Sequence, residues 1–274
     1  MLQRALSGII FISLLIAAIL YSSLTFHLLF FIFCLLAVYE FQKMAKISSP
    51  LLYALASVYF LFSEGTLYLV QGKSAFLEFY IQKYQHSAQY FILFSFFLIS
   101  LFSKDIKKPF KYLGKIFITY IYAILPFTII TAIPYINETH SYDGQIILGC
   151  LILIWSTDTF AYLTGKAFGK RKLFKRISPK KTIEGSIGGV VMTLLIAYIL
   201  SLNFTQHNLW AWLGLSLVVS VMGSIGDLIE SMFKRAVKIK DSGNIIPGHG
   251  GILDRFDSLI YASPFIYYYL HLMY

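Results

Sequence analysis

Apolar residues gather into long runs separated by short polar stretches along most of the chain. Nine such runs are read at 5–21, 24–42, 51–70, 88–103, 113–134, 145–165, 186–202, 208–230 and 256–273. A bilayer core about 30 Å thick is crossed by roughly 20 residues at 1.5 Å rise each. Each run is therefore predicted to cross a membrane. The run at 88–103 is short, and the run at 51–70 contains Glu64, so it is expected to span imperfectly or end early. All nine are predicted to be helical, because an open strand leaves its backbone groups unsatisfied in lipid. Pro126 and the glycines inside spans are tolerated where neighbouring helices rescue the freed groups. The expected fold is all-α: a polytopic membrane protein of about nine transmembrane helices.

Composition agrees. The 274 residues are 58% hydrophobic and 13% charged, with a mean hydropathy of +0.71. Soluble domains carry about 25% charged residues, so this chain lacks the means to cover one or two soluble domains. Net charge is +10. On a soluble protein that would suggest nucleic acid; here the basic residues sit in short loops between spans, and no nucleic-acid partner is expected.

The distribution of charge tests the count. Lys43 and Lys46 lie in the second loop; Lys104, Lys107, Lys108, Lys111 and Lys115 lie in the fourth. The sixth loop holds Lys166 to Lys181, and the eighth holds Lys234, Arg235, Lys238, Lys240 and Arg255. Of the 23 Lys and Arg, only Arg4, Lys73 and Lys83 fall elsewhere. The positive-inside rule puts the even loops in the cytoplasm and, in this reading, both termini outside. Arg4 followed by an apolar run to Tyr21 resembles a secretory signal, but no small-x-small cleavage site follows, and it is read as the first span. Cys34 and Cys150 both lie in apolar stretches and suggest neither a disulfide framework nor a metal cluster. No internal repeat or low-complexity linker is present.

Several of the 13 acidic residues sit where acids are costly. Asp158 falls within the sixth span, Asp227 and Glu230 at the end of the eighth, and Asp254 and Asp257 at the start of the ninth. An ionisable group at membrane depth costs at least about 2.5–3.5 kcal/mol, which a cation, a basic partner or a water-filled cavity must offset. Asp227, Glu230, Ser231 and Lys234 share one helical face, and Asp254 and Asp257 are three apart with Ser258 beside them. Carboxylates with open positions for phosphate oxygens are how Mg²⁺ is usually held. From spacing alone, salt bridges to Lys234, Arg235 and Arg255 explain the same acids equally well.

Between these helices runs Lys240-Asp241-Ser-Gly-Asn-Ile-Ile-Pro247-Gly248-His249-Gly250-Gly251. Such glycine density lets backbone N–H groups approach a ligand and form an anion-binding concavity. His249 either donates to a phosphate or orders the turn. The sixth loop is no P-loop, because Gly169-Lys170 is followed by Arg171. A basic loop binding anionic lipid heads explains most of it. Ser178-Pro-Lys180-Lys181-Thr182-Ile-Glu184 is more specific, pairing two lysines with hydroxyls and an acid just before the seventh span. Basic clamps acting with Mg²⁺ are the usual means of stabilising transfer at a phosphorus.

These residues resemble the phosphatidate cytidylyltransferase family. Its C-terminal signature is matched by Ser231, Lys234-Arg235, Lys240-Asp241, Pro247-Gly-His-Gly-Gly251 and Asp254-Arg255-Phe256-Asp257, with no departure. An upstream element matches Ser178 to Gly185, and an intramembrane Asp-Thr pair matches Asp158-Thr159. The resemblance covers about residues 155–260; the first half is less diagnostic. It implies that CTP and phosphatidic acid give CDP-diacylglycerol and pyrophosphate, with Mg²⁺ on Asp227 and Asp254 and K⁺ sharing the site. It also implies a homodimer in the inner membrane, with the site facing the cytoplasm.

The candidate catalytic residues are then Asp227, Asp254, Lys234, Arg235 and Arg255. The candidate substrate contacts are Asp158, Ser178, Lys180, Lys181, Thr182, Glu184, Ser231, Lys240, Asp241, Gly248, His249, Gly250, Gly251 and Asp257. Residues 1–150 are read as N-terminal membrane helices, and 151–274 as a catalytic membrane region with two basic loops. Two rivals remain: a CTP-dependent lipid kinase of the polyprenol type, and an ion-coupled transporter, for which inverted halves are lacking. A CDP-alcohol phosphotransferase needs an Asp-Gly-x-x-Ala-Arg run that this sequence does not contain.

Overall fold

A computed structural model describes residues 2–102 and 106–274, with the side chains of residues 2–5, 85 and 86 outside the description. Lys104, placed in the fourth loop above, lies outside the described residues. The helices are α1 (Leu2–Tyr21), α2 (Ser23–Ala45), α3 (Pro50–Leu61), α4 (Glu64–Val70), α5 (Ala75–Phe102) and α6 (Pro109–Thr119). They continue with α7 (Leu125–Ala132), α8 (Gly144–Phe168), α9 (Ile183–Asn203), α10 (Leu209–Ala236) and α11 (Leu253–Met273). Lys172–Phe174 (β1) pairs antiparallel with Ser178–Thr182 (β2) in a small hairpin that the sequence reading left as loop.

Among the described residues, five helical segments are long and apolar enough to cross a membrane, or up to seven if each bent pair is one span. The fold is that of an all-α polytopic membrane protein, but length and composition do not reach the expected count of nine. The reasons are local. The expected span at 51–70 breaks into α3 and α4, bent by 48° just before Glu64. The expected short span at 88–103 belongs to the longer α5, bent by 44° between Tyr84 and Ser87. Among the residues whose side chains are described, the apolar stretch of α1 is Leu6–Tyr21, and Asp254, Arg255 and Asp257 lie at the start of α11.

Pro109–Tyr135 forms one span although it holds Pro126. Proline lacks an N–H and its ring clashes with the carbonyl four residues back. A π-helical turn at Tyr120–Ile124 absorbs this, with the Leu125 N–H donating to Tyr120 O.

The second half packs tightly. Where α8 crosses α9, Gly185 and Gly189 lie against Ala161 and the Thr157 carbonyl, a contact that a side chain would prevent. The Thr157 and Thr193 hydroxyls hydrogen-bond across it at 2.9 Å. Phe256 anchors the acid-bearing start of α11, with ring centroids 5.2 Å from Phe33, 5.7 Å from Phe30 and 5.9 Å from Phe127. Edge and tilted aromatic pairs of this kind add to the burial they bring.

The even basic loops meet at one end of the bundle. Lys115 Nζ donates to Lys46 O at 3.3 Å, joining the second and fourth. Lys181 pairs with Asp227, joining the sixth loop to the end of α10. The beginning of α1 lies at this same charged end, because Ser7 Oγ donates to Pro247 O at 2.8 Å. The end of α11 lies at the other, where Tyr274 meets His207. The expectation that both termini share one side is thus wrong: the two lie at opposite ends of the bundle.

Candidate active site

A cavity of about 410 Å³ opens at the charged end. Its polar wall carries Asp158 from α8, Lys181 from β2, Asp227 from α10, His249 from the glycine loop, and Asp254, Arg255 and Asp257 from α11. The rest of its lining is apolar and includes Phe11 and Leu15 of α1 and, on the same face of α8 as Asp158, Leu151 and Trp155. Four carboxylates from three helices therefore face one space.

Lys234 neutralises part of this charge. It is buried, pairs with Glu230 one turn back, and donates to Asp254 Oδ1 at 2.7 Å. The other Asp254 oxygen organises the preceding loop, accepting Ser242 N, Ser242 Oγ and Gly251 N, each at 2.8 Å. Gly248 and Gly250 have φ of 78° and 88°, a region that disfavours side chains, and the Ile246–Gly250 bridge closes the turn.

Glu40 of α2 completes the support. This fully buried carboxylate accepts Ile252 N and Leu253 N at 3.0 Å and Ser242 Oγ at 3.2 Å. Two backbone N–H groups at the start of α11, which have no partner within the helix, are thereby satisfied by an anion.

A second cavity of about 260 Å³ shares Asp158 and Lys181 with the first. Its basic side presents Lys166, Lys180 and Lys181, beside the hydroxyls of Thr182 and Ser186. The β1–β2 hairpin is what carries Lys180 and Lys181 there. Glu184 ties the basic loop to the start of α9, accepting Lys170 N at 3.0 Å and Arg171 Nε at 3.1 Å. Thr182 caps α9 by accepting Gly185 N at 3.2 Å.

The sequence matches a family model described as "Cytidylyltransferase family" over residues 2–273. The chain belongs to this family. It is 35% identical over 275 residues to a phosphatidate cytidylyltransferase of Bacillus subtilis (strain 168), covering 99% of this chain and 98% of that one. It is 50% identical over 131 residues to a phosphatidate cytidylyltransferase of Staphylococcus aureus (strain COL), covering 47% of this chain and 50% of that one. A Staphylococcus epidermidis phosphatidate cytidylyltransferase is 46% identical over 133 residues, covering 48% of this chain and 51% of that one.

In this cytidylyltransferase the two cavities gather Asp158, Lys180, Lys181, Thr182, Asp227, His249, Asp254, Arg255 and Asp257. Other sequence candidates lie outside the linings of the two cavities. Arg235 Nη1 donates to Ile239 O at 3.1 Å, closing the turn after α10. Lys240 and Asp241 are exposed, Ser178 begins β2, and Ser231 is half-buried on α10. Glu184 holds the basic loop rather than a cavity wall, and Gly251 serves as a donor to Asp254. Sequence reading missed Glu40 and the α1 wall. An acid late in an apolar run was the available signal for Glu40, but its partners lie more than 200 residues away.

The donors suit a hard divalent cation. Among the described residues, no three His, Cys, Asp or Glu side chains are gathered closely enough to enclose a metal by themselves. Mg²⁺ does not require such a cage: it keeps several waters and binds through one or two carboxylates plus substrate phosphates. Asp227 and Asp254 each hold an ammonium group on the wall of one cavity, so both sites already bind positive charge.

Proposed function

We propose that this cytidylyltransferase joins CTP to phosphatidate, giving CDP-diacylglycerol and pyrophosphate for phospholipid biosynthesis. The observation that carries the reading is the pair of adjoining cavities, one acidic and one basic, that share Asp158 and Lys181. A nucleotide triphosphate suits the lysine-lined cavity. A phosphate monoester suits the larger one, beside Arg255 and His249.

A lipid phosphate oxygen attacks the α-phosphorus of CTP. A P–O bond forms there as the bond to pyrophosphate breaks. The nucleophile needs no general base, since the second pKa of such esters is near 6 and the oxygen is already anionic at pH 7. The difficulty is bringing two anions together. Lys166, Lys180 and Lys181 offset the triphosphate charge, and Arg255 offers a planar fork to the lipid phosphate. Asp227 and Asp254 would hold a Mg²⁺ ion, which would supply neutralisation of the charge that develops on the phosphate oxygens. Position in the shared cavity lowers the remaining entropic barrier. A K⁺ ion beside Mg²⁺ and a homodimeric assembly are part of the same proposal.

The bacterial relatives support the reading that this membrane protein lies in the cytoplasmic (inner) membrane, and the charged end is proposed to face the cytoplasm, where nucleotides are. The test is purified protein with labelled CTP and phosphatidate, with and without Mg²⁺. Lipid-bound cytidine with released pyrophosphate is expected; CDP with a phosphorylated lipid would instead identify the lipid-kinase reaction.

A further inference from the structure

Outside both cavities, two buried polar atoms have no hydrogen-bond partner within the protein: Glu230 Oε1 on α10 and the Tyr122 hydroxyl. Glu230 is fully buried and Tyr122 is 6% exposed. Buried polar groups in native proteins are nearly always paired, so each of these atoms needs an explanation. The other Glu230 oxygen is taken by Lys234, which also donates to Asp254 Oδ1 at 2.7 Å.

Tyr122 lies in the π-helical turn Tyr120–Ile124, a distortion frequent at functional sites. Its ring is fixed by two others, with centroids 5.5 Å from Phe41 of α2 and 5.1 Å from Phe233 of α10. Phe41 and Phe233 are themselves 5.6 Å apart, so the three rings close a triangle. The Tyr122 ring lines an apolar cavity of about 440 Å³ with Ile229, Phe233 and Tyr261. Its oxygen is nevertheless buried, so the hydroxyl points into the protein. Phe233 stands one turn after Glu230 on the same helix. Of the charges acting on the hydroxyl, Glu230 is the strongest, ahead of Asp257, Asp227 and Asp254. The two unpaired atoms therefore belong to one place, too far apart for a direct bond. A water bridging a hydroxyl and a carboxylate is the usual resolution of such a gap.

We infer that Tyr122 is a positioning residue whose hydroxyl, through one internal water, holds Glu230 Oε1 and so fixes Lys234 and Asp254 at the cavity wall. Its effect on rate rests on the proposed reaction; its bond to Glu230 does not. A carboxylate only accepts hydrogen bonds, whereas a hydroxyl and a water both donate. The chain then runs from Tyr122 through the water to Glu230, and from Glu230 through the Lys234 ammonium to Asp254. Without its first link the Glu230 side chain is free to turn, and the ammonium that it shares with Asp254 turns with it. Tyr122 lines neither cavity of the candidate site, so its loss acts on rate and not on substrate affinity.

The test is a double-mutant cycle of Tyr122→Phe with Glu230→Met, which keeps the length of Glu230 but cannot accept the bond. Unfolding midpoints are measured on the full chain in detergent with a chelator, and kcat and both KM values with Mg²⁺ present. Tyr122→Phe is expected to lower the midpoint by a few degrees and kcat about fivefold, leaving the KM for CTP and for phosphatidate unchanged. In the Glu230→Met background the same substitution is expected to cost less, because its partner is already gone. Wild-type midpoint and kcat in Tyr122→Phe overturn the link, as do equal losses with Glu230 present or replaced. A rise in both KM values marks Tyr122 as a packing residue and overturns the positioning role. If the wild-type chain makes no lipid-bound cytidine, the proposed reaction fails, while coupled midpoints still establish the bond between Tyr122 and Glu230.

Discussion

Glu40 and Leu253 are 213 residues apart, and the carboxylate of the first accepts the backbone N–H of the second at 3.0 Å. Through that bond, and its twin to Ile252, a helix of the less diagnostic first half sets where α11 begins. The first turn of α11 carries Asp254, Arg255 and Asp257 into the cavity. Its placement therefore depends on one buried carboxylate in α2.

Removing that carboxylate is expected to damage the site from a distance. Glu40→Ala strips the acceptor from Ile252 N, Leu253 N and Ser242 Oγ. Each buried donor left without a partner costs about 1–3 kcal/mol. Turnover of CTP should fall at least about tenfold, the equivalent of 1.4 kcal/mol in the barrier, and the thermal unfolding midpoint in detergent should fall with it. Wild-type values for both would mean that the loop and α11 hold their geometry without Glu40.

What the sequence revealed depended on range. Helix type was legible because long apolar runs leave no other backbone solution in lipid. The common end of the basic loops was legible because charge partition is a property of the whole chain. The cluster at Asp227, Asp254 and Asp257 was visible as acids in costly places. By contrast, Glu40 and Ser7 gave only local signals, while their contacts lie more than 200 residues away. The β1–β2 hairpin was hidden in a run of lysines that reads equally well as a lipid-binding loop. The break before Glu64 turned one expected span into two helices, because an acid there favours a new helix start: Glu64 lies in the first turn of α4, behind the Ser63 cap.

Lys234 should prove more damaging to lose alone than together with Glu230. Lys234→Met leaves Glu230 and Asp254 without their shared cation, and breaking a buried pair costs about 3–5 kcal/mol. Adding Glu230→Gln removes one of the two stranded charges. The double variant is therefore expected to unfold at a higher temperature than Lys234→Met, although neither regains full activity. A midpoint no higher in the double variant than in Lys234→Met would show that Glu230 is not left as a costly stranded charge.

At the opposite end, a chain of side chains, buried at His207 and Asp143, joins three segments. His207 Nε2 meets Asp143 Oδ2 at 2.9 Å, and His207 Nδ1 meets the Tyr274 hydroxyl at 2.5 Å. Asp143 also caps α8, accepting Gln145 N at 2.8 Å. His207→Ala should lower the unfolding midpoint by an amount equivalent to about 1–3 kcal/mol and leave the KM for both substrates unchanged. Asp143→Ala should cost more, since the α8 cap is lost as well. A shifted KM for CTP in His207→Ala would reveal coupling between the two ends.

Asp227 and Lys181, which form an ion pair, offer the sharpest test of the proposed cation site, because there the ammonium and a divalent ion would compete for the same carboxylate. Chelation of Mg²⁺ should abolish CTP turnover, and added Mg²⁺ should restore it. Asp227→Asn removes a charged ligand, so the Mg²⁺ concentration giving half-maximal rate should rise about tenfold or more. Lys181→Ala acts in two directions at once. It frees Asp227 of its competing positive charge, which lowers the Mg²⁺ requirement several-fold. It also takes a lysine from the shared wall of the two cavities, which raises the KM for CTP. Charges a few ångströms apart at a protein surface interact by about 4 kcal/mol at an effective dielectric near 20, enough to make both shifts measurable. Opposite movement of the two constants is the signature of a lysine that exchanges its carboxylate for a metal and its own charge for a phosphate. If the Mg²⁺ requirement and the KM for CTP rise together in Lys181→Ala, the lysine does not compete with the ion; if the Mg²⁺ requirement is unchanged in Asp227→Asn, Asp227 is not a ligand.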